Sequence, residues 1–103
     1  MKDNAVTVEF IALPENEKFA RMVAAAFTAP FDPTVEEITE IKTAVSEAVS
    51  NAVIHAYGGT GEGLIRMELW CNEKGTVNIV VEDYGVGIED IPAARAPLFT
   101  TAA

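Results

Sequence analysis

The segment from Pro33 to Tyr57 constrains the fold most, because it carries a complete signal for a long amphipathic helix. Asp32 before Pro33 predicts the helix start, since aspartate caps a first turn and proline suits the first helical position. The glycines at positions 58 and 59 predict its end. Three- and four-residue spacing predicts one buried stripe, formed by Ile38, Ile41, Val45, Ala48, Val49 and Ala52. We therefore expect a helix with one face against a core.

The rest of the chain predicts one more helix and a small sheet. Residues Pro14 to Thr28 have helical spacing, with an apolar stripe of Phe19, Met22, Val23, Ala26 and Phe27. Apolar runs and alternation predict strands at Val6–Ala12, Leu64–Cys71 and Thr76–Asp83, the last two joined by a hairpin loop. Residues 88–103 contain two prolines and predict no closing element. We expect a single domain over residues 1–103, an α/β (α+β) fold in which two helices cover a mixed sheet.

The charge balance limits the classes of partner. Acidic residues outnumber Lys plus Arg by 16 to 7, which gives a net charge of −9. Because nucleic-acid binding needs cations against the phosphates, we expect no nucleic-acid partner. The longest apolar run, Met22–Phe27, is far shorter than the ~20 residues that span a bilayer. With no secretory signal at the start, we expect a cytoplasmic protein without a membrane partner. The acidic surface is either simply solvated or recruits a basic partner.

Three polar residues, Glu47, Asn51 and His55, follow one another at four-residue spacing beside the apolar stripe of the long helix. Asparagine is disfavoured inside helices, but its amide oxygen is a suitable Mg²⁺ ligand. Glu47, one turn earlier, could accept a proton from a group that attacks a phosphate. Each residue also has an ordinary alternative: a solvated carboxylate, an exposed amide, and a histidine at the negative end of the helix dipole.

A second motif, Glu82-Asp83-Tyr-Gly85-Val-Gly87-Ile88, follows the last predicted strand. A carboxylate at a strand end can accept the exocyclic amine of adenine, and Gly87 leaves room for the ring. The alternative is an aspartate-initiated turn with glycines at positive φ. The sequence contains neither a P-loop nor the third glycine of a Rossmann fingerprint. Together the two motifs predict a nucleotide site of another type.

The pattern E-x-x-x-N-A-x-x-H followed by D-x-G-x-G-I resembles the N box and first glycine box of the Bergerat ATP-binding fold. Gyrase B, Hsp90, MutL and histidine kinases share that fold. Residues 16–21, 32–55 and 94–101 resemble the anti-sigma factor serine kinases, in particular the anti-sigma F family of sporulation. The resemblance runs from about Val8 to Thr101. Because the family's glycine-rich ATP lid and second glycine box do not follow here, we expect a truncated Bergerat-type sandwich.

The resemblance implies ATP and Mg²⁺ as cofactors and gives a role to each matching residue. Glu47 would be the general base, Asn51 the Mg²⁺ ligand and Asp83 the contact to adenine. It also implies that His55 borders the nucleotide, Gly85 and Gly87 shape the base pocket, and Thr100 and Thr101 begin the lid near the phosphates.

The partners that the resemblance implies are a sporulation sigma factor, which is sequestered, and an anti-anti-sigma factor, which is phosphorylated on serine. A homodimer is also expected. Arg21 resembles the family's exposed arginine that touches both protein partners, although a solubilising surface arginine is the ordinary alternative. Two other functions remain open: a different Bergerat ATPase or histidine-kinase ATP domain, with Glu47 activating water, and a purely binding anti-sigma module with a vestigial nucleotide site.

Overall fold

The computed structural model describes residues 4–56, 58, 62–72, 76–83 and 94–101. Its elements, in chain order, are β1 (Asn4–Ile11), α1 (Asn16–Thr28), a 3₁₀ turn (Ala29–Phe31), α2 (Val35–Asn51), a π turn (Ala52–Ala56), β2 (Leu64–Cys71), β3 (Val77–Asp83) and β4 (Ala94–Thr101). None of the described helices combines the length and apolar character needed to cross a bilayer.

The four strands form one sheet in the order β1-β2-β3-β4, and the helices pack on it. α1 lies beside α2 and contacts β2, whereas α2 contacts β3 and β4. The expected two-layer α+β arrangement is therefore confirmed. The expectation of a mixed sheet is wrong for the described strands, because all three pairings are antiparallel. Two successive helices return the chain to the end of the sheet where β1 finishes, where Ala12 N–H donates to the Gly63 carbonyl at 2.8 Å.

The core lies between the helices and the sheet, and α2 contributes to it as the sequence predicts. Ile41, Val45 and Val49 of α2 are fully buried, and they share the core with Ile65, Met67 and Leu69 of β2. On β1, Val6, Val8 and Phe10 face this side opposite Leu69, Met67 and Ile65. The period of two along each strand therefore separates a face covered by helices from one that is not.

α1 buries the predicted stripe only in part: Val23 and Phe27 pack against the core, but the fully buried positions are others. Ala20, Ala24 and Thr28 are fully buried, whereas Phe19 and Met22 are largely exposed. Small side chains allow a helix to lie close to its neighbours, and the partly exposed Phe19 packs edge-on to Phe10, with 6.0 Å between ring centroids. The hydrophobic pattern alone favoured the larger side chains, and Met22 is thereby left at the surface.

α2 begins two residues later than predicted. Thr34, not Asp32, is the N-cap: its side chain accepts the Glu37 N–H at 3.0 Å, while the Glu37 carboxylate accepts the Thr34 N–H at 2.9 Å. Such a reciprocal capping box satisfies two otherwise unpaired donors. Asp32 instead ends the preceding 3₁₀ turn in the left-handed region, at φ 53°. Regular α-helix ends at Asn51 rather than near Tyr57, which lies outside the described residues.

The chain after residue 88 was expected to form no further element, and β4 shows that this expectation is wrong. β4 pairs with β3 from Ala94, opposite Asp83, to Thr101, opposite Val77. The register shifts between Ile79 and Val80, whose partners are Phe99 and Pro97. Proline cannot donate to a strand ladder and is tolerated where pairing is interrupted, as at this irregularity.

Candidate functional site

α2 places Glu47 and Asn51 one turn apart on its exposed side. Burial of Ile41, Val45 and Val49 fixes the rotation of the helix, so that both polar residues point away from the core. Within the described residues, neither side chain forms a hydrogen bond or an ion pair. The carboxylate and the amide are therefore available to a ligand, in the spacing that the sequence predicts.

The helix changes its geometry directly after Asn51. The Ala52 N–H is shared between the carbonyls of Ala48 and Val49, and the chain then widens into the π turn. Single π turns inside helices are often found at functional sites. The backbone of His55 lies in this turn, so it does not continue the regular spacing of Glu47 and Asn51. The His55 side chain lies outside what the structure describes, and its border role remains a prediction.

Asp83 ends β3 on the face of the sheet that the helices cover. It lies opposite Ile65, which is fully buried, and its Oδ1 atom is shielded from solvent. The adjacent Glu82 takes the other face, where the register places Arg66 of β2 and Arg95 of β4 opposite it. The strand alternation thus assigns the two neighbouring carboxylates to different environments, and Asp83 is the one directed toward the helix layer.

Of four other predicted site residues, the structure describes only Thr100 and Thr101, and it does not bring them to Asp83. Gly85 and Gly87 lie outside the described residues. Thr100 and Thr101 belong to β4, where their backbones lie opposite Asn78 and Val77. These positions are at the end of β3 away from Asp83, within a strand instead of at the start of a loop. Their contact with phosphates therefore stays a prediction.

The described donor set fits a nucleotide-bound Mg²⁺ better than a metal held by the protein alone. No group of three or more His, Cys, Asp or Glu side chains converges in the described part of the chain. Mg²⁺ usually keeps water ligands and takes one or two protein oxygens together with substrate phosphates. The exposed Asn51 amide can provide such a ligand, and the shielded Asp83 carboxylate can accept a base amine on the helix-covered side of β3, which α2 contacts.

A groove of about 440 Å³ separates the exposed surfaces of α1 and α2, and its lining includes Glu17, Lys18, Arg21, Lys42, Ser46 and Glu47. Three of the chain's 7 basic residues thus meet in this α1–α2 groove. No ion pair joins them to a carboxylate among the described residues. Met22, which is 62% exposed, adds apolar surface. Arg21 therefore lies in a groove that reaches Glu47, a proximity that the sequence did not predict.

One hydrogen bond connects this groove to the end of α2. Ser50 Oγ donates to Glu17 Oε2 at 2.6 Å, between residues that are each partly buried. Ser46, one turn earlier, has a buried Oγ atom without a hydrogen-bond partner. The sequence did not predict Glu17 or Ser50 as site residues. Their only signal was that a serine directly precedes Asn51 and a glutamate lies one turn before Arg21.

Comparison with known proteins identifies the family of the chain. The family model described as histidine kinase-like ATPase domain matches residues 10–102. Similar proteins include an anti-sigma F factor of Clostridium novyi (strain NT), 48% identical over 98% of this chain and 70% of the relative. An anti-sigma F factor of Pasteuria penetrans is 54% identical over 98% of this chain and 67% of the relative. An anti-sigma F factor of Bacillus cereus (strain G9842) is 50% identical over 95% of this chain and 66% of the relative.

The chain spans about two thirds of the length of these relatives. The family match includes both α-helices, β2, β3, β4, the last two residues of β1 and every predicted site residue. The chain therefore belongs to the anti-sigma F factor family, within the histidine kinase-like ATPase domains.

Proposed function

We propose that the protein is an anti-sigma factor and serine protein kinase. It binds Mg-ATP, phosphorylates an anti-anti-sigma factor on serine and sequesters a sporulation sigma factor. The observation that carries this proposal is the position of Glu47. The residue lies one turn before Asn51 on the exposed side of α2 and also lines the groove that contains Arg21. One carboxylate thus borders both a nucleotide ligand and a surface suited to a protein.

Three residues of the chain would have separate roles in such a kinase. Bound Mg-ATP would supply the phosphoryl group. Asn51 would hold the Mg²⁺, and Asp83 would select adenine by accepting its exocyclic amine. Glu47, which no basic group pairs with in the described residues, is free to take the proton from a serine hydroxyl. Proton acceptance by a positioned carboxylate typically contributes about 10²–10⁴-fold to the rate.

The α1–α2 groove supports the partner part of the proposal. A protein of net charge −9 repels acidic partners in general, but Lys18, Arg21 and Lys42 give this groove a local excess of cations. Arginine is favoured at binding hot spots because its planar guanidinium both pairs with carboxylates and offers stacking area. We assign the contact with the sigma factor and with the anti-anti-sigma factor to this groove, with Arg21 as its hot spot.

A homodimer belongs to the same proposal. β1 pairs only with β2 among the described strands, so the outer edge of β1 presents unpaired backbone groups. An edge strand of this kind favours association with a second chain. The dimer would form by this route without involving the α1–α2 groove, which lies on the helix layer.

The test is a pair of charge reversals in the full-length protein. Arg21→Glu should weaken the binding of both protein partners by more than about 2 kcal/mol, roughly 30-fold, while the melting temperature stays nearly unchanged. Lys74→Glu is the matched control, because it makes the same charge change in the sequence segment between β2 and β3 instead of on α1. Calorimetric titration with each partner gives the affinities. Equal effects of the two variants, or no effect of Arg21→Glu, would contradict the assignment of the groove.

A further inference from the structure

We infer that the hydrogen bond between Glu17 and Ser50 couples occupancy of the α1–α2 groove to the nucleotide-binding end of α2. The inference rests on the proposed function and adds a regulatory contact to it. Glu17 lines the groove and at the same time accepts the Ser50 hydroxyl at 2.6 Å. Ser50 directly precedes Asn51. A single carboxylate therefore belongs to both surfaces.

A peptide segment that binds in the groove can compete with the Ser50 hydroxyl for the Glu17 carboxylate. Lys18, Arg21 and Lys42 attract the carboxylates of an acidic segment, whereas Glu17 is a hydrogen-bond acceptor beside them. Every peptide segment brings backbone N–H donors, and a donor placed near Glu17 can replace the Ser50 hydroxyl. Charge-assisted hydrogen bonds to a carboxylate are strong, so this exchange does not leave Glu17 unsatisfied.

Ser50 has an alternative partner on its own helix. Once released, its hydroxyl can donate to the carbonyl four residues earlier, that of Ser46. Two threonines in this structure already form such bonds: Thr28 Oγ1 donates to the Ala24 carbonyl at 2.7 Å and Thr39 Oγ1 to the Val35 carbonyl at 2.8 Å. Bonds of this type often bend the helix in which they occur. The two partners of Ser50 thus define two discrete states of the last turn of α2.

The second state would change the nucleotide site because of where the bend falls. Asn51 is the last residue of α2, and the Ala52 N–H is already divided between two carbonyls before the π turn begins. A bend between Ser46 and Ser50 tilts Asn51 relative to the sheet, and therefore relative to Asp83 at the end of β3. Groove occupancy and nucleotide binding would then bias the same two-state element, which is what thermodynamic coupling requires.

The test measures the affinity of the full-length protein for a fluorescent ATP analogue with Mg²⁺, alone and with a saturating sigma factor from the same genome. In the wild type, the sigma factor should change this affinity by roughly 5- to 150-fold. In Ser50→Ala, in Glu17→Ala and in the double variant, the change should fall below about twofold, with no added effect of the second substitution. Ser50→Thr keeps the hydroxyl and should keep the coupling.

Thr39→Ala is the matched control, because it removes a hydroxyl from α2 outside the groove and should leave the coupling at the wild-type value. A wild-type protein that binds both ligands without mutual influence overturns the inference and leaves the proposed function standing. Coupling of wild-type size in Ser50→Ala likewise overturns the inference and leaves the proposed function standing. If the wild type binds neither the nucleotide nor the sigma factor, the proposed function falls together with the inference.

Discussion

Replacement of Asn51 by alanine should separate nucleotide binding from folding. Asn51 is exposed, ends α2 and forms no hydrogen bond in the described part of the chain. Alanine is favoured over asparagine in helices by at most ~0.7 kcal/mol. Because the position is the last of the helix, a gain of no more than about 0.5 kcal/mol is expected. For a domain of this size, that corresponds to a melting temperature raised by up to about 2–4 °C.

The effect of Asn51→Ala on binding should be much larger than its effect on stability. Removal of a residue that only supports a metal ligand typically lowers the affinity for the metal 10- to 100-fold. Because Asn51 is the proposed ligand itself, we expect Asn51→Ala to lower the affinity for Mg-ATP by at least roughly this factor. Calorimetric titration of the full-length protein with ATP and Mg²⁺ measures this, and thermal unfolding by circular dichroism measures stability.

Val49→Ala is the contrasting control for Asn51→Ala. Val49 is fully buried two residues earlier on the same helix. Its truncation removes about two methylene equivalents, for a loss of about 2 kcal/mol or more and a melting temperature lowered by about 8–16 °C. Wild-type affinity of Asn51→Ala for Mg-ATP, or a loss of stability as large as that of Val49→Ala, would contradict the assignment of Asn51 as the Mg²⁺ ligand.

Three further substitutions test separate parts of the account. Glu47→Ala should retain ATP binding yet slow phosphotransfer by about 10²–10⁴-fold; an unchanged rate would reduce Glu47 to a surface carboxylate. Asp83→Asn should lose discrimination between ATP and GTP in competition titrations, and an unaltered preference would argue against a contact with adenine. Thr34→Ala should cost ~1 kcal/mol of unfolding free energy, because it breaks the capping box with Glu37, and lower the melting temperature by about 4–8 °C. A melting temperature within 1–2 °C of wild type would show that the cap contributes little.

The parts of the fold that the sequence predicted well are those with strong hydrophobic periodicity. No other sequence pattern competes with the apolar stripe of α2 or with the apolar run of β2. Strand β2 is observed with the predicted bounds, Leu64–Cys71. The start of α2 was harder to predict, because two candidate N-cap residues follow each other closely in the sequence. Asp32 before Pro33 is a strong local pattern, but the reciprocal bonds of Thr34 and Glu37 satisfy more backbone donors.

The fully buried stripe of α1 and strand β4 could not be predicted from periodicity, although Val23 and Phe27 of α1 pack against the core as expected. On α1 the large apolar residues Phe19 and Met22 dominate the pattern, yet close packing selects the small Ala20 and Ala24 for the interior. β4 contains Pro97, which argues against a strand unless an interrupted edge pairing accommodates it. In both cases the decisive information is the shape of the neighbouring element.

For the candidate site, spacing predicted the pairing of Glu47 with Asn51, because a regular helix fixes their relative position. It could not predict the α1–α2 groove or the bond from Ser50 to Glu17, which join residues 33 positions apart. Such contacts depend on how the two helices pack against each other, which local sequence patterns do not predict.

The most direct test of the central claim is phosphotransfer by the full-length protein. It would be incubated with Mg-ATP and an anti-anti-sigma factor from the same genome, and the product would be examined by mass spectrometry for phosphoserine. Glu47→Ala serves as the control for a general base, and Thr39→Ala as a substitution on the same helix outside the site. We expect phosphoserine with the wild type and Thr39→Ala, and little or none with Glu47→Ala. Absence of phosphoserine with a wild-type protein that binds both ATP and the anti-anti-sigma factor would contradict the proposed kinase activity.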